Sequence, residues 1–356
     1  MTSKMDDPEL IAVRPDERLD VERLEPYLRE HLPQTDGPFA LGQFGGGHAN
    51  LTYLIRFGET EYVLRRPPLG PIAPSAHDMK REHHVLSALY KRFPLAPRSF
   101  LLCTDPAIVG AEFQVMERRN GIVIRRAMPP QFNDPATCRR VGEMLVDRLA
   151  EFHAVEPSSV GLGDWGKPEG FIARQCEGWI KRWHVAKDRD YDYAEPFIAW
   201  LRANLPNAGD VTLVHNDYKL DNVLVASDDP ARMVAILDWD MCTRGDPLVD
   251  LGYLLDYWTQ AGDDPSWASV AAMPTREPGF PTRAQAAQRY AAITGRDVSD
   301  LHWYVMLNLF RTIVILAQIY IRYLGGQTQD TRFANFGERI AGLFEKARAM
   351  VPQGTI

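Results

Sequence analysis

Two short acidic segments carry the residues best suited to chemistry. The first is His215-Asn216-Asp217-Tyr218-Lys219-Leu220-Asp221-Asn222, with the spacing H-x-D-x-x-x-x-N, and the second is Asp238-Trp239-Asp240. One carboxylate can orient an incoming hydroxyl and take its proton. An amide and a second carboxylate can share a magnesium ion that bridges nucleotide phosphates. In that scheme Asp217 is the base. Asn222 is a neutral oxygen ligand that adds no negative charge beside the phosphates. Asp238 follows the apolar run Val234–Leu237, where a carboxylate is costly unless a cation pairs with it. Asp240 fits two positions, a second metal or plain exposure after Trp239. His215 suits a bracing role through its ring nitrogens. Lys219 either offsets charge on the transferring group or is a solvated loop lysine. Asp250, at the head of the next apolar helical run, reads as an N-cap or as a buried brace for the loop above it.

The elements that must hold these groups follow from the pattern around them. Val223–Val225 and Met233–Leu237 are two apolar runs joined by Ser227-Asp228-Asp229-Pro230, a hairpin between the acidic loops. Upstream, Phe39–Phe44, Leu51–Phe57 and Glu61–Arg65 are strand-like. The first two flank Gly42-Gln43-Phe44-Gly45-Gly46-Gly47-His48-Ala49-Asn50. In such a turn the amides of Gly45, Gly46 and Gly47 can approach phosphates closely, although hairpins also use glycine for its backbone freedom. The turn does not match G-x-x-x-x-G-K-[ST]. It leads into a strand rather than a helix, so neither a Walker loop nor a dinucleotide fingerprint is present. Strand alternation sends Arg65 and Arg66 to opposite faces, and Val63-Leu64-Arg65 in phase favours Arg65 as the phosphate-facing cation. Glu82, on a helix beginning at Ser75 or Asp78 and running to Arg92, is positioned to pair with Arg65 or to sit on the helix surface. Strands at Ser99–Thr104 and Glu112–Glu117 complete a five-stranded part with one long helix.

Beyond Arg118-Arg119-Asn120-Gly121 the character is helical. Thr137–His153, Phe171–Val185, Tyr193–Asn204, Asp250–Gln260, Arg283–Thr294, Asp300–Leu324 and Thr331–Met350 all read as helices. The expected class is α+β. A strand-rich N-terminal lobe (1–117, with 1–20 a frayed leader) precedes a mainly helical C-terminal lobe (118–356), and a cleft between lobes is a natural nucleotide site. A net charge of -7 over 356 residues argues against a nucleic-acid partner. Cys103, Cys138, Cys176 and Cys242 are widely spaced, which suits a reducing cytoplasm rather than a disulfide or zinc framework. The polar Met1–Arg18 lacks a signal-peptide core. Val305–Ile321 is apolar but contains Asn308, Arg311 and Gln318, so a buried helix is expected rather than a membrane span.

These parts, in this order, resemble the aminoglycoside phosphotransferase-like kinases, a branch of the protein-kinase-like bilobal fold. The resemblance rests on Val214–Leu224, on Ile236-Leu237-Asp238-Trp239-Asp240 and on Gly245-Asp246-Pro247-Leu248-Val249-Asp250-Leu251-Gly252. It implies ATP and Mg2+ as cofactors, and a hinge at Gln114–Glu117 (Gln114, Met116, Glu117) whose backbone holds adenine. Tyr62–Pro68, Val115–Arg119 and the helix from Gln175 to Trp183 further resemble the kinase-like domains fused to acyl-CoA dehydrogenases, which implies a hydroxyacyl acceptor. The departure is Arg65, where the family carries lysine; arginine keeps the charge but changes reach and hydrogen-bond geometry. Asp-Phe-Gly is also replaced by Asp-Trp-Asp, which favours a small-molecule acceptor over a protein. Trp179, Trp183, Tyr253, Tyr257, Trp258 and Arg311 are the candidate walls of the acceptor site. A polycationic antibiotic would need carboxylates such as Asp256, Asp263 and Asp264. An acyl or CoA-linked acceptor would use Trp179, Lys181, Arg182 and Arg311. A nucleotide-binding protein without transfer activity is the alternative that Arg65 raises.

Overall fold

The computed structural model describes residues 9–45, 50–68, 78–207, 209–264, 273–328 and 330–354. The chain forms two compact units: Met1–Asn120 with Val234–Cys242, and Gly121–Met233 with Thr243–Ile356.

The first unit is built on a six-stranded antiparallel sheet. In chain order its strands are β1 (Leu10–Ile11), β2 (Phe39–Phe44), β3 (Leu51–Phe57), β4 (Thr60–Arg66), β5 (Ser99–Cys103) and β6 (Phe113–Glu117), and across the sheet the order is β1-β2-β3-β4-β6-β5. Three helices accompany it: α1 (Val21–His31), α2 (Met79–Leu89) and the single turn α3 (Pro106–Val109). Asp20 caps α1 by accepting from the Arg23 amide at 3.2 Å, and Leu24 and Leu28, one turn apart, are its buried face. They join Tyr53, Ile55, Leu64, Phe113 and Val115 in one apolar core. Asp78 caps α2 in the same way, accepting from the Arg81 amide at 3.1 Å. Ser75, the other start considered for α2, lies outside the described residues.

Two features depart from the sequence reading. The stretch read as a frayed leader contains β1, whose Leu10 and Ile11 pair with Phe44 and Gln43. The segment Val234–Cys242, expected in the helical part, belongs with the strands. The Ile236 amide donates to the Leu95 carbonyl at 2.8 Å, the Trp239 amide to Glu82 at 3.1 Å, and the Trp239 ring packs edge-on against Phe93. A buried indole outweighs sequence proximity to the helices.

The second unit holds β7 (Ile122–Val123), α4 (Pro135–His153), α5 (Phe171–Ala186), α6 (Ala194–Ala203), β8 (Thr212–Val214), β9 (Val223–Val225), β11 (Thr243–Gly245), α7 (Leu248–Asp256), α8 (Arg283–Thr294), α9 (Leu301–Leu324) and α10 (Phe336–Met350). The remaining strand, β10 (Met233–Ile236), straddles the division between the units. Pairing of β8 with β11 places Val214 opposite Thr243, so the chain enters the first acidic loop from a fixed strand. Gly252 lets α7 lie tightly on α9, since a Cβ there would meet the Cβ of Tyr304 at 2.7 Å. Among the described residues α9 is the one helix long and apolar enough to cross a bilayer, but 67% of its most apolar stretch is buried against the unit it belongs to.

Candidate functional site

In the second unit Asp217 is the centre of a dense polar cluster. One of its carboxylate oxygens accepts from Lys219 Nζ at 2.8 Å and from the Tyr253 hydroxyl. The other accepts from Asn222 Nδ2 at 2.6 Å, and the same amide nitrogen also reaches the Asp217 carbonyl at 2.9 Å. With its nitrogen committed to Asp217, the Asn222 side chain has its oxygen as the atom that could hold a metal. The Asp217 amide donates to His215 Nδ1 at 3.2 Å, which puts the His215 proton on Nε2 and makes the buried ring a brace within the loop. Lys219 is not a solvated loop lysine. Its side chain is largely enclosed; burial opposes its charge, but the Asp217 carboxylate, together with Tyr257 and Asp221, outweighs that and raises its pKa.

The loop backbone is held from below. Asp250 is not the N-cap of α7, which starts two residues earlier at Leu248; it lies in the first turn and is fully buried. Its two carboxylate oxygens accept from the amides of His215 and Asn216, each at 2.6 Å, and one also meets His153 Nε2 at 3.2 Å. His153 Nδ1 in turn contacts the Tyr290 hydroxyl at 2.7 Å, which ties α4 and α8 to the loop. Burial lowers the His153 pKa, and the Asp250 carboxylate only partly offsets it. Asn216 adopts a left-handed backbone (φ 64°), an arrangement that asparagine tolerates. Its carbonyl accepts from Arg311 Nη1 at 2.7 Å, so both of its backbone polar groups are engaged.

Aromatic rings and cations enclose this loop. The Arg311 guanidinium lies 4.6 Å from the Tyr253 ring centre and 5.3 Å from that of Trp179; Arg182 covers Trp179 at 4.5 Å. Lys219 lies over both Tyr253 and Tyr257. Two other expected wall residues are core instead. Trp183 packs among Phe310, Phe344 and Tyr191, and Trp258 donates its indole N–H to the Pro281 carbonyl. Of the acidic candidates, Asp256 is paired with Lys346 and Asp263 with Arg283 in a two-point bridge.

In the first unit Arg65 and Glu82 pair directly, and Arg65 Nη2 also reaches Asp238 Oδ1 at 2.6 Å. Burial works against the guanidinium's charge, but Asp238 and Glu82 hold it firmly protonated. Glu82 is completely buried, so a helix-surface role is excluded; burial pushes its pKa up against the pull of Arg65. It accepts from the Trp239 amide and from the side-chain amide of Gln114, whose oxygen meets Ser99 Oγ at 3.3 Å. Gln114 therefore joins this network through its side chain, while its backbone lies between paired strands, opposite Arg65 on β4 and Leu102 on β5. Met116 is similarly flanked and buried. Glu117 is the last strand residue; its carboxylate accepts from the Arg98 amide and pairs with Arg119. Arg66, the alternative to Arg65, is committed to the Val109 carbonyl at 2.6 Å. Asp238 is left-handed (φ 69°), and half-buried Asp240 adds negative charge facing Arg65. The Gly45 amide is taken by the Glu9 carbonyl at 3.0 Å, so it is not presented to a phosphate. Gly46 and Gly47 lie outside the described residues.

Sequence reasoning missed the Tyr253 hydroxyl on Asp217 and the Gln114 amide on Glu82. The sequence reading places Tyr253 in the acceptor wall and gives it no contact with Asp217. The one available signal was its position three residues after Asp250, on the same helix face.

A strand-rich unit carrying an Arg–Glu–Asp network and a helical unit carrying a braced H-x-D-x-x-x-x-N loop define a kinase-like phosphotransferase class. The family model for APH, the phosphotransferase enzyme family, matches residues 40–289, and the chain belongs to that family. Acyl-CoA dehydrogenase family member 11 of Gallus gallus is 31% identical over 350 residues, covering 96% of this chain and 44% of that protein. The chain therefore spans less than half the length of that relative. Among solved structures, a candidate aminoglycoside phosphotransferase of Ralstonia eutropha superposes with a TM-score of 0.80 at 27% identity, covering 94% of this chain and 99% of the other. The aminoglycoside phosphotransferase APH(4)-Ia, in a ternary complex with AMP-PNP and hygromycin B, gives a TM-score of 0.57 at 16% identity over 93% of this chain and 99% of its own. At that identity the likeness is one of fold.

Proposed function

We propose that this protein is an ATP- and magnesium-dependent small-molecule kinase that phosphorylates a hydroxyl of a metabolite, with a hydroxyacyl compound as the first acceptor to try. The observation that carries the reading is the Asp217 carboxylate, fixed by Lys219, Tyr253 and Asn222 and still partly open to solvent. A carboxylate so held can receive the acceptor's hydroxyl proton. Asn222 and Asp238 each suit magnesium, an oxygen-seeking ion that keeps several waters and needs few protein ligands. The amide oxygen of Asn222 is turned away from Asp217, and Asp238 already sits against a cation, Arg65. When bound, the ion would neutralise charge developing on the transferred phosphoryl group. Arg65, set by Glu82, would face the phosphates, and the chain leaving β6 at Glu117 would lie against adenine. Buried, unbridged cysteines suit a reducing cytoplasm.

The acceptor reading rests on charge. Asp256 and Asp263 are spent on internal ion pairs, which weakens the case for a polycationic antibiotic. Arg311 and Arg182 beside Trp179 and Tyr253 favour an anionic, partly apolar molecule. A nucleotide-binding protein without transfer activity is favoured by one observation, the Arg65 guanidinium held on Asp238.

The test is Mg-ATP turnover with hydroxyacyl-CoA thioesters, free hydroxy acids, sugars and hygromycin B, with Asp217→Ala alongside. Transfer to an anionic hydroxy compound is expected, with a loss of roughly 10²–10⁴-fold in the variant and nucleotide binding retained. Nucleotide binding without any transfer supports the inactive reading. Transfer to hygromycin B alone supports the antibiotic reading, and undiminished transfer by the variant removes Asp217 as the base.

A further inference from the structure

We infer that Tyr253 is a positioning residue for the reaction: its hydroxyl, donated to the Asp217 carboxylate from one turn beyond Asp250 on α7, holds that carboxylate aimed for the acceptor. The inference rests on the kinase reading for its purpose, but its geometry stands apart from it. Helix α7 grips the loop at two points on one face. Asp250 takes the amides of His215 and Asn216, and Tyr253, three residues on, takes the side chain of Asp217. The backbone and the carboxylate are thus indexed by the same rigid element.

Tyr253 is itself held. Its ring lies under the Arg311 guanidinium and beside Tyr257, with ring centres 5.0 Å apart, and its oxygen is 3.4 Å from Lys219 Nζ. Burial and the neighbouring Asp217 charge raise the phenol's pKa far above its ordinary value, so it serves as a donor and keeps its proton. A neutral donor stabilises the carboxylate without adding a second positive charge beside Lys219. In transfer, the acceptor oxygen bonds to the γ-phosphorus as the bond to the ADP leaving oxygen breaks. The acceptor's proton passes to Asp217, and the Tyr253 proton does not move.

The test uses the full chain and Tyr253→Phe, which deletes one oxygen. Two measurements are made. Mg-ATP turnover is read with water as the acceptor. The carboxyl carbon of Asp217 is followed by NMR at one fixed pH in protein labelled with [4-13C]aspartate, its signal identified by loss in Asp217→Asn. The expected result is a fall in turnover of about tenfold with KM for Mg-ATP changed less than about twofold. At that fixed pH the Asp217 carboxyl signal should also move from its wild-type position, because the hydrogen bond from the hydroxyl is lost. Tyr257→Phe, whose hydroxyl is 3.5 Å from that of Tyr253, should leave the signal in place. An Asp217 signal that keeps its wild-type position in Tyr253→Phe overturns the inference. A wild-type chain that turns over no ATP with any acceptor overturns the kinase reading instead, and the position of the Asp217 signal still decides whether Tyr253 holds that carboxylate.

Discussion

The two acidic loops solve the same problem by different means. Each carries a left-handed residue that is not glycine, Asn216 in one and Asp238 in the other. Such residues persist only where the surroundings over-determine them. At Asn216 the supports are backbone bonds, from Asp250 on one side and Arg311 on the other, and the Asp217 carboxylate one residue later is met by one lysine and neutral donors. At Asp238 the left-handed residue itself bears the carboxylate, and its partner is a buried guanidinium shared with Glu82. The first arrangement leaves Asp217 one cation and a set of hydrogen bonds. The second commits Asp238 to a charge that another cation must displace or share. The difference suits the proposed roles: a base needs orientation, whereas a metal ligand needs its negative charge preserved until the metal arrives.

The comparison is broken most easily at Glu82. Removing one partner of a buried charged network leaves the rest uncompensated, so Glu82→Ala should cost roughly 3–5 kcal/mol in chemical denaturation. Asp217→Ala, at a partly exposed carboxylate, should cost far less. Equal losses would mean that the two loops are held alike.

Arg65→Lys sharpens the contrast at smaller magnitude. A lysine cannot fork between Glu82 and Asp238, so Asp238 should be released. Magnesium-dependent binding of ADP, read by calorimetry, is expected to tighten by about tenfold, roughly 1.4 kcal/mol. Unchanged or weaker binding would show that the guanidinium does not compete for Asp238.

The smallest effect concerns pH and belongs to the first loop alone. His153 is buried with its pKa lowered from 6.5, so the unfolded chain takes up its proton first as pH falls. Stability should therefore decline below about pH 6.5, by up to about 1.4 kcal/mol for each pH unit until the folded-state pKa is reached. In His153→Gln this part of the slope should vanish, as judged from urea midpoints at pH 7.5 and 5.5. A slope equal to wild type would assign the acid sensitivity elsewhere.

Much of this protein is written at short range. The strands at Phe39–Phe44 and Leu51–Phe57, the helix Arg283–Thr294 and the spacing of Asp217 to Asn222 were all legible, because strand and helix periods act between residues a few positions apart. The alternation of Val63, Leu64 and Arg65 separated Arg65 from Arg66 for the same reason. Other features required the folded chain. Tyr253 reaches Asp217 across 36 positions, Gln114 reaches Glu82 across 32, and Arg65 reaches Asp238 across 173. Val234–Cys242 joins the strand-rich unit because Trp239 and Ile236 find partners there. The sequence alone determined which groups could do chemistry and which local elements carry them. Which donor satisfies each carboxylate was decided only by tertiary packing, because burial forces every polar group to find a partner among whatever the fold brings near.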